Sequence, residues 1–413
     1  GADIIETNSF NGSAIVMNEY GIEEKSNALA QRSAELAREA ILEYNLKRPI
    51  FVMGSMGPGT KSISVTGGTD FDEILETYYQ YAHSLLTGGV DLLTLETVLD
   101  TLNLKAALQG VYKAQRELDR AAPILLSVTI EIGGTMLAGQ NIEALYHTFS
   151  AQNIFSIGLN CATGPSLMSD HLRTLAELSH FPVTVWPNAG LPDQDGNYDE
   201  SPEDFFKTIG RFAREGLINI AGGCCGTTAD HIRSIGEAVS GITPRRMAKN
   251  GHYPALAGSE PMLVTEDSRP IYIGERTNSI GSRRFKRLIR EEKWEESAEI
   301  GRKQVRKGAM VLDLCTSDPD REEIDDFLRV LRPLQRRVRV PILIDTTDTA
   351  VLEVALKNIN GKPGINSVNL EDGGERIREV AALAKKYGAA LICGLIDEDR
   401  EQGMAVTVAR KIE

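Results

Sequence analysis

Short apolar runs alternate along the chain with longer stretches in which apolar positions recur every three or four residues. Ile74, Tyr78, Tyr81, Ala82 and Leu85 fall at i, i+4, i+7, i+8 and i+11, which predicts one face of a helix that stops at Gly88-Gly89. Ala30, Ala34, Ala37 and Ile41 set a second helix in the same way. Between such helices the pattern predicts strands at 2–7, 50–53, 91–95, 124–129, 155–159, 183–186 and 218–221. Strands alternating with helices imply parallel strands joined by helical crossovers.

The residues just past each strand separate the possible architectures. The strand ends carry Glu6-Thr7-Asn8, Gly54-Ser55-Met56-Gly57-Pro58, Glu96-Thr97, Glu131-Ile132-Gly133-Gly134-Thr135, Asn160-Cys161, Pro187-Asn188-Ala189-Gly190 and Gly222-Gly223-Cys224-Cys225. Polar or glycine-rich chemistry at every strand end suits a TIM-type barrel, whose active site gathers on the C-terminal rim. A doubly wound sheet concentrates such residues at one switch point, often with an early GxGxxG, and no such fingerprint is present. The first domain, 1–240, is therefore expected to be a barrel short of one strand.

Over 241–268 the periodicity lapses into Gly, Pro, Ala and Ser, which reads as a linker. The same grammar resumes in a second domain, 269–413, with strands at 270–274, 310–314, 341–344, 365–370 and 389–394 and a helix face of Ile324, Phe327, Leu328 and Leu331. Five strands do not close an eight-stranded barrel. The chain opens on Gly1-Ala2-Asp3 without an initiator methionine and stops at Glu413 in what reads as a helix, so a fragment of a longer protein is expected.

Composition narrows the partners. A formal charge of −13 over 413 residues argues against nucleic acid or an anionic membrane surface. No run approaches the roughly 20 apolar residues that span a bilayer. Five cysteines, an odd number without an apolar leader, point to a reducing cytoplasm rather than a disulfide framework. The basic runs Arg283-Arg284-Phe285-Lys286-Arg287 and Arg336-Arg337-Val338-Arg339 read as solvated faces, the first able to meet an anionic substrate tail.

Cys161, Cys224 and Cys225 each stand where an apolar strand runs into glycine. Three thiolates without an evident fourth ligand describe a zinc site with an open position. Adjacent cysteines on a regular strand point to opposite faces, but Gly222, Gly223 and Gly226 permit a bend that turns both sulfurs one way. Spacing alone leaves two readings open, a metal site and buried core cysteines; Cys315 and Cys393 read as the latter. Glu96, Asn8, Asn160, Asp345, Asn366 and Asn278 also stand at strand ends, where caps and turns compete with binding roles.

The segments GADIIETNSF, Leu95-Glu96-Thr97, GLNCATG and GGCCGTT resemble the homocysteine-binding module of homocysteine S-methyltransferases over about residues 1–240. Gly274-Glu275-Arg276-Thr277-Asn278, Ile344-Asp345 and Ile365-Asn366-Ser367 resemble the pterin-binding domain of methyltetrahydrofolate methyltransferases. In that order the pair is similar to the N-terminal half of the cobalamin-dependent methionine synthases. The resemblance implies two (β/α)8 barrels in tandem, the first lacking its first strand and the second truncated on its C-terminal side. It implies Zn2+ on Cys161, Cys224 and Cys225, and homocysteine contacts from Glu96, which holds the ammonium group, with Thr97, Asn8 and Asn160. An acidic residue that relatives carry near their first strand end falls in the absent segment. Asp345, Asn366 and Asn278 match pterin-contacting positions, whereas Leu314-Cys315-Thr316 stands where many relatives carry an asparagine. The implied reaction moves a methyl group from 5-methyltetrahydrofolate to homocysteine through methylcobalamin, which is bound by a cobalamin-binding module that this chain does not contain. A homocysteine methyltransferase using a small onium donor without cobalamin, and a non-catalytic zinc or thiol sensor, are the alternatives.

Overall fold

The structure is a computed structural model and describes residues 2–44, 48–249, 253–396 and 407–409. The helix expected to run into Glu413 and the middle of the expected linker, 250–252, lie outside the described residues. The chain divides into two compact units, one of residues 1–146 with 153–251 and the other of 147–152 with 252–413.

In the first unit seven parallel strands lie side by side in sequence order: β1 (Ile4–Glu6), β2 (Phe51–Met56), β3 (Leu92–Val98), β4 (Ile124–Val128), β5 (Ser156–Asn160), β6 (Val183–Trp186) and β7 (Ile220–Ala221). Parallel neighbours in unbroken order, with helical crossovers between them, form the curled sheet of a TIM-type α/β fold. Met53, Leu92, Leu125 and Trp186 meet in one cluster, with Ile4, Ile220 and Cys224 against it, which identifies the inner face. Side chains alternate along a strand, so pairing register carries that face upward. Glu6 is level with Met53, Ser55 with Thr94, and Asn160 with Trp186. The predicted helix is real, Phe71–Thr87, capped by Asp70 and ended by Gly88; Ile74, Tyr78, Tyr81, Ala82 and Leu85 are all buried.

Among its described residues the second unit holds five parallel strands, again in sequence order: an antiparallel hairpin of β8 (Ala255–Ala257) and β9 (Pro261–Leu263) precedes β10 (Ile273–Gly274), β11 (Val311–Leu314), β12 (Ile342–Asp345), β13 (Gly364–Val368) and β14 (Ala390–Cys393). The stretch read as a linker therefore contains structure. Ala257 N donates to Lys362 O and Ser259 N to Arg339 O, both acceptors lying just before strands. The hairpin thus seats Leu256 and Met262 under the N-terminal ends of the sheet, against Val311, Leu343 and Ile392. Cys315 is buried as expected, but Cys393 is exposed. It ends β14, which has a strand on one side only among the described residues.

Candidate functional site

Cys161 follows β5 directly, and Cys224 and Cys225 follow β7, so crossovers many residues long deliver three sulfurs to one end of the sheet. Cys225 Sγ lies 3.9 Å from Cys161 Sγ and 3.9 Å from Cys224 Sγ, and all three sulfurs fall within 4.8 Å of one another. Tetrahedral zinc with Zn–S near 2.3 Å spaces its sulfurs about 3.8 Å apart, so the donor set fits that ion in number, softness and spacing.

The backbone turns that aim the sulfurs are not those expected from the glycines alone. Cys161 and Ala162 both take left-handed φ, 61° and 58°, a conformation that costs a non-glycine residue. Cys161 N donates to Trp186 O, Cys224 N to Pro187 O and Thr163 N to Cys161 O, which pin the turns. Only Gly226 of the three glycines near the cysteine pair needs positive φ, 77°. Gly222 and Gly223 serve close approach instead, since a Cβ would stand 2.7 Å from Trp186 and 2.4 Å from Thr227.

The three thiols titrate as one set. Hydrogen bonding from Cys224, helped by Ala162 N and Cys225, pulls Cys161 down to about 5 against the opposing effect of burial. The Cys161 contact itself, then burial, pushes Cys224 up, and burial followed by the Cys161 charge raises Cys225. One sulfur thus ionises easily and the other two keep their protons until a cation displaces them.

Glu96 sits on the inner face of β3, 5% exposed, and accepts from Ser55 Oγ. Burial first, and then the Cys161 charge, raises its carboxyl, while the Ser55 hydrogen bond opposes. Glu6, at a strand end in the sequence but not singled out, ends β1 on the same face; the residue keeps solvent exposure, yet burial of its carboxyl first and then the Glu96 charge raise it above the usual carboxylate range. The strand alternation that carries Ile4 inward was the available signal. Asn160 is buried against Thr97, Ser127 and Cys224. Asn8 is exposed beyond the end of β1. Asn188, also not singled out, is 3% exposed, accepts from Cys225 N at 3.1 Å and hydrogen-bonds the Cys161 thiol.

In the second unit the expected residues do converge. Asn278 Nδ2 donates to Asp345 Oδ2 at 2.7 Å and to Asp313 Oδ2 at 2.9 Å, and Asn366 Nδ2 donates to Asp313 Oδ1 at 3.0 Å. Asp313, 2% exposed, organises both asparagines and was not foreseen, because it is embedded in the apolar run Val311–Leu314. Burial, and then the Asp313 charge, raise Asp345 to about 6, with Asn278 opposing.

Comparisons with known proteins fit this division of labour. The sequence profile of the Homocysteine S-methyltransferase family matches residues 1–239, and that of Pterin binding enzyme matches residues 274–413. Among solved structures, the metallated form of the homocysteine methyltransferase MmuM from Escherichia coli is 21% identical, over 57% of this chain and 79% of that chain, with a TM-score of 0.46. Its apo form is 21% identical over 58% and 80%, with a TM-score of 0.43. With more than half of its 413 residues matched, the chain belongs to the homocysteine S-methyltransferase family and carries a pterin-binding domain behind the homocysteine domain.

Proposed function

We propose that this chain serves methyl transfer from 5-methyltetrahydrofolate to homocysteine, with zinc on Cys161, Cys224 and Cys225 and a separate cobalamin module, acting in the cytoplasm, as methyl carrier. The observation that carries the reading is the three-sulfur cluster at one sheet end, in a chain that also matches a pterin-binding family. In the same reading each parallel sheet is part of a (β/α)8 barrel, with domains at 1–240 and 269–413.

Zinc, when bound, would keep an incoming thiol ionised at neutral pH, where a free thiol with a pKa near 8.5 is mostly protonated. The protein's own groups supply the rest. Three anionic sulfurs outweigh the charge of a divalent cation, so the set favours a reactive fourth sulfur over strong Lewis acidity. Glu96, buried on the inner face of β3, offers a carboxylate to the amino acid's ammonium, with Thr97 next in the chain and Asn8, exposed past the end of β1, as further contacts in this reading. In the second unit Asp345 accepts N–H donors of the pterin ring, and Asn278 and Asn366 are held rigid by Asp313.

Zinc titration of the full chain and of Cys161→Ser and Cys224→Ser tests the assignment. The wild type is expected to bind one equivalent and each variant markedly less; undiminished stoichiometry in both variants would sink the site.

A further inference from the structure

Asn160 joins the two sides of the first site. It is 1% exposed. Its Oδ1 accepts from Ser127 Oγ at 2.7 Å and from Thr97 N at 3.0 Å. Its Nδ2 donates to Thr97 Oγ1 at 2.7 Å and toward Cys224 Sγ at 3.9 Å. A primary amide has two N–H donors and one carbonyl oxygen with two lone pairs, so the protein itself fills this side chain and leaves nothing for a substrate. The contacts run from Thr97, the neighbour of Glu96, through β4 and β5 to the sulfur cluster. Thr97 takes a left-handed φ of 56°, unfavourable for a β-branched residue, and two hydrogen bonds with Asn160, one in each direction, hold it there.

We infer that Asn160 is a positioning residue: it fixes Cys224 relative to the Glu96–Thr97 shelf and places an N–H donor on the Cys224 sulfur, without touching substrate. The inference rests on the proposed three-sulfur metal site and concerns how that site is tuned. A hydrogen-bond donor on a metal-bound sulfur draws electron density from it, and such supporting contacts set both affinity and ligand geometry.

Asn160→Asp replaces the donor on Cys224 with a carboxyl oxygen, and the neutral Ser127→Ala separates loss of the donor from added charge. The first variant keeps the shape and Oδ1. At Thr97 the hydroxyl can turn and donate to the new oxygen, whereas a metal-bound Cys224 sulfur has no proton to give. The probe is cobalt(II) bound in place of zinc to the full chain, read by the sulfur-to-cobalt charge-transfer band and by competition with a chelator. The expected result is a displaced band and a cobalt affinity weaker by roughly 10- to 100-fold, with an unchanged far-ultraviolet dichroism spectrum. Ser127→Ala, which removes a bond that orients Asn160 but touches no sulfur, is expected to shift both readouts the same way by less, and it decides the matter where Asn160→Asp does not fold. An unmoved band together with wild-type affinity in the folded variant overturns the role of Asn160. Failure of the wild-type chain to bind cobalt overturns the metal site itself.

Discussion

Asp345 is held between stability and binding. Its pKa stands near 6 in the folded chain against 3.8 for the free side chain, mainly through burial and then through Asp313. A carboxyl raised on folding contributes stability that is fully present below the unfolded value and lost as pH rises through the folded one. This group therefore weakens the second unit between about pH 4 and 6. Asp345→Asn is expected to raise the melting temperature at pH 7 and flatten that pH dependence, while pterin affinity falls roughly 10- to 100-fold. Thermal melts from pH 4 to 8 beside a pterin titration check both halves, and a variant that melts lower at pH 7 would contradict the account. Residues of this kind differ in how plainly the sequence shows them. Cys161 and Cys224 were readable because each ends a strand beside glycine, and chemistry at a strand end needs no knowledge of register. Asp313, inside a strand, was not, since the face it joins depends on pairing with Leu343; Glu6 stood in view at a strand end, but its place on the inner face shows only in its pairing with Met53. Asn188 reads as a loop residue until its side chain is seen on Cys225 N.

Among elements, the contact between the helices Phe71–Thr87 and Thr101–Glu117 rests on a missing side chain. A Cβ on Gly110 would stand 2.4 Å from Leu75 O and 2.7 Å from Tyr79 N, both backbone atoms that cannot swing aside. Gly110→Ala gains about 1 kcal/mol of helix propensity, yet the helices must separate to admit it. A net loss of about 1–3 kcal/mol is expected, measurable by urea denaturation; a stabilised variant would show that the helices yield. The positions of the elements were legible because apolar periods of two and of about 3.6 residues differ strongly. Their ends were less so. β3 continues through Glu96 to Val98, past the predicted stop at 95, because the ladder with β4 resumes after an irregularity at Leu95 to Val98 where Thr97 turns left-handed. Polar residues inside a hydrogen-bonded ladder leave no apolar trace. The hairpin β8–β9 escaped for a related reason, as three-residue strands are too short for any period.

At the scale of the molecule, the three-sulfur cluster and the Asp313 cluster lie in different units. A cation that binds only folded protein stabilises it by about 2.7 kcal/mol at a hundredfold excess over its dissociation constant. For a domain of some 240 residues that is an upward shift of roughly 5–10 °C. Calorimetry is expected to show zinc moving the transition of the first unit and leaving that of the second in place, with Cys225→Ser abolishing the shift. Equal movement of both transitions would refute the assignment of the metal to the first unit. The parallel order of both sheets was legible from the alternation of strands and helices, whereas the packing beneath the second sheet was not. There Leu256 and Met262 cork the end opposite Asp345. In the proposed reading the hairpin closes that end of the strands, so a pterin would reach Asp345 from their C-terminal end or past the edge at β14.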